Sequence, residues 1–417
     1  MAERDRPLRI ALLAYRGKPH VGGQGIYVRH LTKALADLGH HVEVLGGPPY
    51  PELDERVPLV ELPSLEIYND HFPMRMPGLW EIKDWKDLAE VTSFSLGTFP
   101  EPLAFSLRAW DHLRHRIGEF DLVHDNQTLG WGVLAIERMG LPVVATIHHP
   151  ITVDRQVEVE HALSLYKKLT LRRWYAFTRM QTEVARRLKR VVTVSENSFK
   201  DIVEGHHVRP DRMAVVPVGV DPELFKPVAG ITRTPGMLIT TASADSAMKG
   251  QRFLLEAVAK LRTERPEVAL TVIGRPKEGG GTLKAIDELG LADAVTFVSG
   301  VTDQRIVDLY SEASAAVVPS LYEGFSLPAI EAMSCAVPLV ATTGGALPEV
   351  VGADGDTAFT VPPGDSSALA AKLAYVLDHP RIADRVGRAG RERVISRWSW
   401  RRTAEATVEQ YRIRLGE

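Results

Sequence analysis

One pattern, used twice, constrains the fold of this chain more than any other feature: short apolar runs alternate with amphipathic stretches. LRIALLAY, from Leu8 to Tyr15, is apolar and continuous, as expected of a strand buried on both faces. A glycine-rich loop, RGKPHVGGQG, follows. In IYVRHLTKALADLG, Tyr27, Leu31, Ala34, Leu35 and Leu38 then fall at helical spacing, and Gly39 supplies the stop. HVEVLG completes a βαβ unit. DLVHD, PVVATIHH and RVVTVS repeat the buried-strand pattern with helical stretches between them, which predicts a doubly wound parallel sheet.

The pattern restarts at Met237–Ser243 and continues through Ala269–Gly274, Ala294–Gly300, Ala315–Ser320 and Pro338–Thr343, with helices such as Gln251–Leu261 between them. A chain of 417 residues exceeds the ~250 to 300 at which one core stops growing, so two Rossmann-like α/β domains are predicted. VVPVGVDPELFKPVAG marks the linker near 217 to 235. The boundaries follow: 1–217 for the first domain, with an aromatic insert at 48–105, 218–399 for the second, and a final helix at 400–417 returning to the first. The insert carries Tyr50, Tyr68, Phe72, Trp80, Trp85, Phe94, Phe99 and Phe105.

Composition excludes several classes. Hydrophobic residues at 45% and charged residues at 25% are ordinary for a globular chain, and a net charge of −3 gives no reason to expect nucleic acid as a partner. Cys335 is the single cysteine, which rules out an intramolecular disulfide, a zinc ribbon and a CxxC pair. No run approaches the ~18 apolar residues of a membrane span, and the N-terminal apolar run is too short for a signal peptide. A cytoplasmic location is the expectation. The stretch Leu163–Arg190 is locally basic and reads as an amphipathic helix. It is either a solvated face or a peripheral contact with anionic membrane at its inner face.

The segment Pro319–Val351, PSLYEGFSLPAIEAMSCAVPLVATTGGALPEVV, is the most specific. Glu323 lies on the loop after a predicted strand, Pro328 suits the first turn of a helix, and Glu331 is expected in that turn. Amides at the helix start point out of the carboxyl end of the sheet and form an anion site suited to a diphosphate. The two carboxylates beside it are better employed on hydroxyl groups.

Here the chain resembles the retaining glycosyltransferases of family 4, which have the two-domain GT-B architecture. Their paired glutamates, seven residues apart, appear as Glu323-GFSLPAI-Glu331. The resemblance extends to Gly22-Gly23-Gln24-Gly25, Thr146-Ile147-His148, Val194–Glu196, Val215–Asp221 and Lys249-Gly250. It implies a nucleoside-diphosphate sugar donor held mainly by the second domain and a saccharide acceptor held mainly by the first, with catalysis in the cleft between them. Glu323 would meet the donor sugar's hydroxyls and Glu331 the ribose. Gly324, Phe325, Ser326 and Leu327 would approach the donor through their amides, and Lys249 would neutralise the diphosphate. Gly22, Gly23, Gln24 and His148 would face the acceptor. Gly23 would also admit the phosphates, and His148 would contact the transferred sugar.

The family's usual arginine before the lysine is replaced here by Ser243 and Ala244, and Arg275, after the strand ALTVIG, is the expected substitute. The linker motif's usual asparagine is Val218. Neither a covalent nucleophile nor a metal-binding constellation is evident, so no cofactor and no metal requirement are expected. The leaving diphosphate would take the acceptor's proton in a reaction that retains configuration. GDP-mannose is favoured as donor over UDP-glucose. A lipid acceptor, or a catalytically degenerate nucleotide-sugar-binding protein, is the alternative.

Overall fold

A computed structural model describes residues 6–17, 23–67, 75–160, 164–241 and 246–417. The chain divides into two units. The first comprises Met1–Val194, Ser198–Val216 and Thr403–Glu417; the second comprises Ser195–Asn197 and Pro217–Arg402.

The first unit holds seven parallel strands: β1 Arg9–Ala14, β2 His41–Gly46, β3 Leu59–Glu61, β4 Leu122–Asn126, β5 Val143–Ile147, β6 Val191–Thr193 and β7 Met213–Val215. Their spatial order is β3-β2-β1-β4-β5-β6-β7, and register runs Ile10 against Val42 on one side and against Leu122 on the other. β4 and β5 are buried at every residue; β5 is apolar but for Thr146, whereas β4 is apolar at Leu122 and Val123 and then polar at His124, Asp125 and Asn126. The core gathers Leu13, Leu45, Val123, Val143 and Val191 from the sheet with Leu113, Val133 and Val184 from its covering helices. The helix Gly23–Asp37 ends just before Gly39, which takes φ 87°. In the insert, the described residues form β3, a 3-10 turn at Leu79–Glu81, the helix Trp85–Ser95 and the start of the helix Glu101–Leu113; Tyr68 and Phe72 lie outside the described residues.

The second unit carries β8 Thr234–Thr241, β9 Ala269–Ile273, β10 Val295–Val298, β11 Ala313–Val318, β12 Leu339–Thr342 and β13 Phe359–Val361. All pair in parallel, in the order β10-β9-β8-β11-β12-β13. Both sheets reverse strand order at one place, between β1 and β4 and between β8 and β11. Loops leaving the carboxyl ends at such a reversal open a crevice, which is where doubly wound sheets bind ligands.

The basic segment is not one helix. It forms Leu165–Trp174 and Phe177–Ala185, separated at Tyr175-Ala176, and Leu163 lies outside the described residues. The first of these helices buries none of its residues, whereas the second buries Phe177, Met180 and Val184. Apolar periodicity therefore belongs to the second helix alone. Among the described residues no helix is long and apolar enough to cross a membrane.

Candidate active site

In the second unit, three loops leave the carboxyl edge of the sheet around the β8–β11 reversal. The loop after β11, Pro319–Ser326, leads into the helix Leu327–Ser334. Glu323 is only 8% exposed, and its Oε1 accepts from Lys249 Nζ at 2.8 Å and from Ser320 Oγ at 2.6 Å. Its second oxygen has no partner among the described residues and remains available to a hydroxyl donor. Lys249 closes a 3-10 turn, Ala247–Lys249, that is stitched to the same loop by Leu321 N–H donating to the Met248 carbonyl at 2.8 Å. Gly250 makes this approach possible. It adopts φ 63°, and a Cβ there would stand 2.0 Å from the Pro319 carbonyl oxygen. The Lys249-Gly250 pair legible in the sequence is thus a cation and the residue that lets it reach Glu323.

The helix start has an unusual cap. Ser326, a non-glycine residue at φ 93°, is buried, and its hydroxyl makes no hydrogen bond. A left-handed residue of this kind costs on the order of 1–3 kcal/mol. The amides of Phe325, Ser326 and Leu327 donate to no protein acceptor among the described residues, and the helix dipole adds its positive end. Phe325 is held edge-on to Trp398, with ring centroids 5.7 Å apart. Glu331 is the fifth residue of the helix and so lies in its second turn, not the first as the sequence suggested. Burial pushes its carboxyl up to about 7, with Asp303 adding to the rise. The carboxylate is partly accessible and makes no hydrogen bond among the described residues, so it can accept from hydroxyl donors. Arg275 follows β9 and Gly274, is exposed, and makes no ion pair among the described residues. Ser243 and Ala244 lie outside the described residues. Cys335, in the turn after the helix, is buried with its thiol pushed well up by desolvation, so it is a core residue.

The first unit presents a second polar cluster at the carboxyl ends of β4 and β5. His148 follows β5; its N–H donates to Gln127 Oε1 at 2.7 Å, and its Nε2 lies 2.8 Å from Asn126 Oδ1. With Asn126 accepting, Nε2 carries the proton and Nδ1 keeps its lone pair. The ring also meets Tyr27 edge-on at 4.6 Å. Desolvation first, then His149 and His124, push His148 down to about 3, so it acts as a neutral imidazole. Gly23 opens the helix after β1, with nothing within 4 Å of a Cβ built on it. Gln24 hydrogen-bonds Tyr15, and Gly22 lies outside the described residues.

Three neighbours escaped the sequence reading. Asp125 and Asn126 end β4, and Gln127 follows at φ 57°. Asp125 is buried, accepts from Leu129 N–H at 2.9 Å, and is pushed by desolvation up to about 6. One of its oxygens and the amide nitrogen of Asn126 are buried without partners. The sequence signal is weak: DNQT is a polar run that follows only Leu122, Val123 and His124. His124 is structural. Its Nδ1 meets the Tyr411 hydroxyl at 2.5 Å and its Nε2 meets Thr146 Oγ1 at 2.8 Å, which ties the C-terminal helix to β4 and β5.

Comparison with known proteins adds to this geometry. Residues 21–224 match the family "Glycosyltransferase Family 4" and residues 229–393 match "Glycosyl transferases group 1". The MMP alpha-(1->4)-mannosyltransferase of Mycolicibacterium hassiacum is 50% identical over 405 residues, covering 97% of this chain and 98% of that protein. A D-inositol 3-phosphate glycosyltransferase of Mycolicibacterium smegmatis is 28% identical, over 98% of this chain and 91% of its own length. Among solved structures, the sucrose-phosphate synthase of Thermosynechococcus elongatus superposes with a TM-score of 0.75 at 24% identity, over 98% of this chain and 99% of that one. WaaG, a glycosyltransferase involved in lipopolysaccharide biosynthesis, gives 0.72 at 18%, over 98% and 100%. The two parallel sheets, their paired glutamates and the end-to-end identity lead to one conclusion: the chain belongs to the group 1 and family 4 glycosyltransferases and is a transferase of GT-B architecture.

Proposed function

We propose that this glycosyltransferase moves a mannosyl residue from GDP-mannose to a hydroxyl of a saccharide acceptor, with retention, forming an α-(1→4) bond. The observation that carries the reading is the 50% identity, over almost the whole of both chains, to an α-(1→4)-mannosyltransferase. The second unit suits the donor. Glu331 accepts from the ribose, the amides of Gly324, Phe325, Ser326 and Leu327 approach the diphosphate, and the free oxygen of Glu323 accepts from a hydroxyl of the sugar. Lys249 and Arg275 offset the charge that grows on the leaving diphosphate, which is stabilisation directed at the transition state. Lys249 stays anchored on Glu323, so sugar recognition and charge neutralisation are mechanically linked.

The first unit suits the acceptor. Gly23 leaves room at the helix start, while Gly22 and Gln24 flank it. His148, neutral with a lone pair on Nδ1, accepts from a sugar hydroxyl and does not act as a cationic acid. The departing diphosphate takes the acceptor's proton, and the protein's contribution is orientation and charge. Metal independence belongs to this reading, and turnover unchanged by a chelator is its check. So does peripheral contact with anionic membrane through the helix Leu165–Trp174, where Leu165 and Tyr166 are each 81% exposed beside Lys167 and Lys168. Cosedimentation with anionic vesicles that fails at low salt would remove that contact. For the main reading, the test is a donor panel. GDP-mannose should raise the melting temperature and support transfer, and a preference for UDP-glucose in both assays would replace mannose with glucose.

A further inference from the structure

Between β3 and the helix Glu101–Leu113 the insert walls a cavity of about 600 Å³, with Ser64, Trp80, Lys83, Asp84 and Asp111 in its lining. Its floor is made of ion pairs closed on themselves. The Arg108 guanidinium, with its side chain 4% exposed, lies 2.6 Å from Asp87 and 2.6 Å from Glu90, and Ser64 Oγ donates to Glu90 at 3.1 Å. Lys86 Nζ stands 2.7 Å from Asp84 and 2.9 Å from Asp111. Four carboxylates thus face Arg108 and Lys86, with Arg114 also 2.8 Å from Asp111, so there is no surplus of positive charge to draw a phosphate. What remains are spare carboxylate lone pairs and the Lys83 amine, a set that matches a neutral polyhydroxylated ligand.

Trp80 supplies the other half of such a site. A Cβ on Gly78 would lie 2.4, 2.5 and 2.6 Å from three successive atoms of its six-membered ring. Nearly equal distances to consecutive atoms mean that the face of the ring, not its edge, lies on the Gly78 backbone. The indole is thus backed by Gly78, where only a missing side chain makes room, and the residue lines the cavity while remaining 84% exposed. β3 is the sheet edge, three strand spacings from β4. At ~4.8 Å per spacing this is roughly 14 Å from the strand that ends in Asn126.

We propose that this cavity is a second saccharide site, in which Trp80 stacks on, and Lys83, Asp84 and Asp111 hydrogen-bond to, sugar units of the acceptor chain remote from the one being extended. The proposal rests on the saccharide-acceptor reading above. Its test is direct titration of neutral α-(1→4)-linked manno-oligosaccharides of increasing length into the wild-type enzyme without donor, beside transfer kinetics on the same series. Trp80→Ala should weaken binding of the long oligosaccharides and raise their KM about tenfold. KM for the shortest acceptor, KM for the donor, kcat and the melting temperature should all stay unchanged. Trp80→Phe, which keeps a stacking face, should restore most of the loss. Length-independent binding in the wild type, or identical titrations for Trp80→Ala, overturns the proposal. So does a variant that changes only the sedimentation coefficient, since the indole then meets another protein copy. Trp80-dependent binding without any transfer upholds the cavity and removes the acceptor reading instead.

Discussion

At the residue scale, the candidate donor site contains two features that stability alone does not favour. Glu331 has its carboxyl raised to about 7 from an ordinary 4.5. The unfolded chain therefore releases this proton first, and the group's contribution to stability falls as pH rises from about 4.5 to about 7 and stays low above it. Glu331→Gln should stabilise the protein at pH 8 by up to about 3 kcal/mol and change little at pH 4, as read by denaturant midpoints. Ribose hydroxyls donate to the ionised form, so GDP affinity in the wild type should be up to about tenfold weaker at pH 6 than at pH 8. A Glu331→Gln variant that keeps the same pH dependence would show that another group is titrating. Ser326 is the second such feature. Ser326→Gly should relieve the left-handed strain and the orphaned hydroxyl, raising stability by about 1 kcal/mol while weakening donor binding. An unchanged melting temperature would argue that the strain is absorbed elsewhere.

At the scale of elements, the strands and the paired glutamates were legible because their causes are local. A strand buried on both faces is mostly apolar, and β1, β5 and β11 read that way, as do Leu122 and Val123 at the start of β4 and Met237, Leu238 and Ile239 within β8. Less legible were elements whose identity depends on tertiary neighbours: β3 and β7, three residues each, and the break that makes two helices of the basic segment. The role of Asp125–Gln127 was hidden for the same reason, since their buried, partly unpaired state follows from the turn after β4 and not from their spacing. Gly250 shows how tightly a legible motif can be tied to its neighbours. Gly250→Ala meets both the φ of 63° and the Pro319 carbonyl, so it should destabilise the protein by several kcal/mol and lower kcat together with donor affinity. Calorimetry and initial rates read both effects. Tyr411→Phe should cost about 1–3 kcal/mol by leaving His124 Nδ1 buried without its partner, with little change in donor affinity.

At the scale of the molecule, the two units have separate cores and separate proposed tasks, so a single two-state transition is not expected of the whole chain. GDP at about a hundred times its Kd should add about 2.7 kcal/mol to the second unit and raise the corresponding calorimetric transition. Gly250→Ala should lower that same transition. If the nucleotide and the substitution act on different transitions, the assignment of the donor to the second unit is wrong. The central claim, however, concerns the bond that is formed. Its most direct measurement is the NMR structure of the product when wild-type enzyme is given GDP-mannose and an α-(1→4)-linked mannoside acceptor. The account predicts one added mannosyl residue, α-configured and attached at the 4-hydroxyl. A β-configured product, another linkage, or no transfer from GDP-mannose while another sugar nucleotide reacts would contradict it.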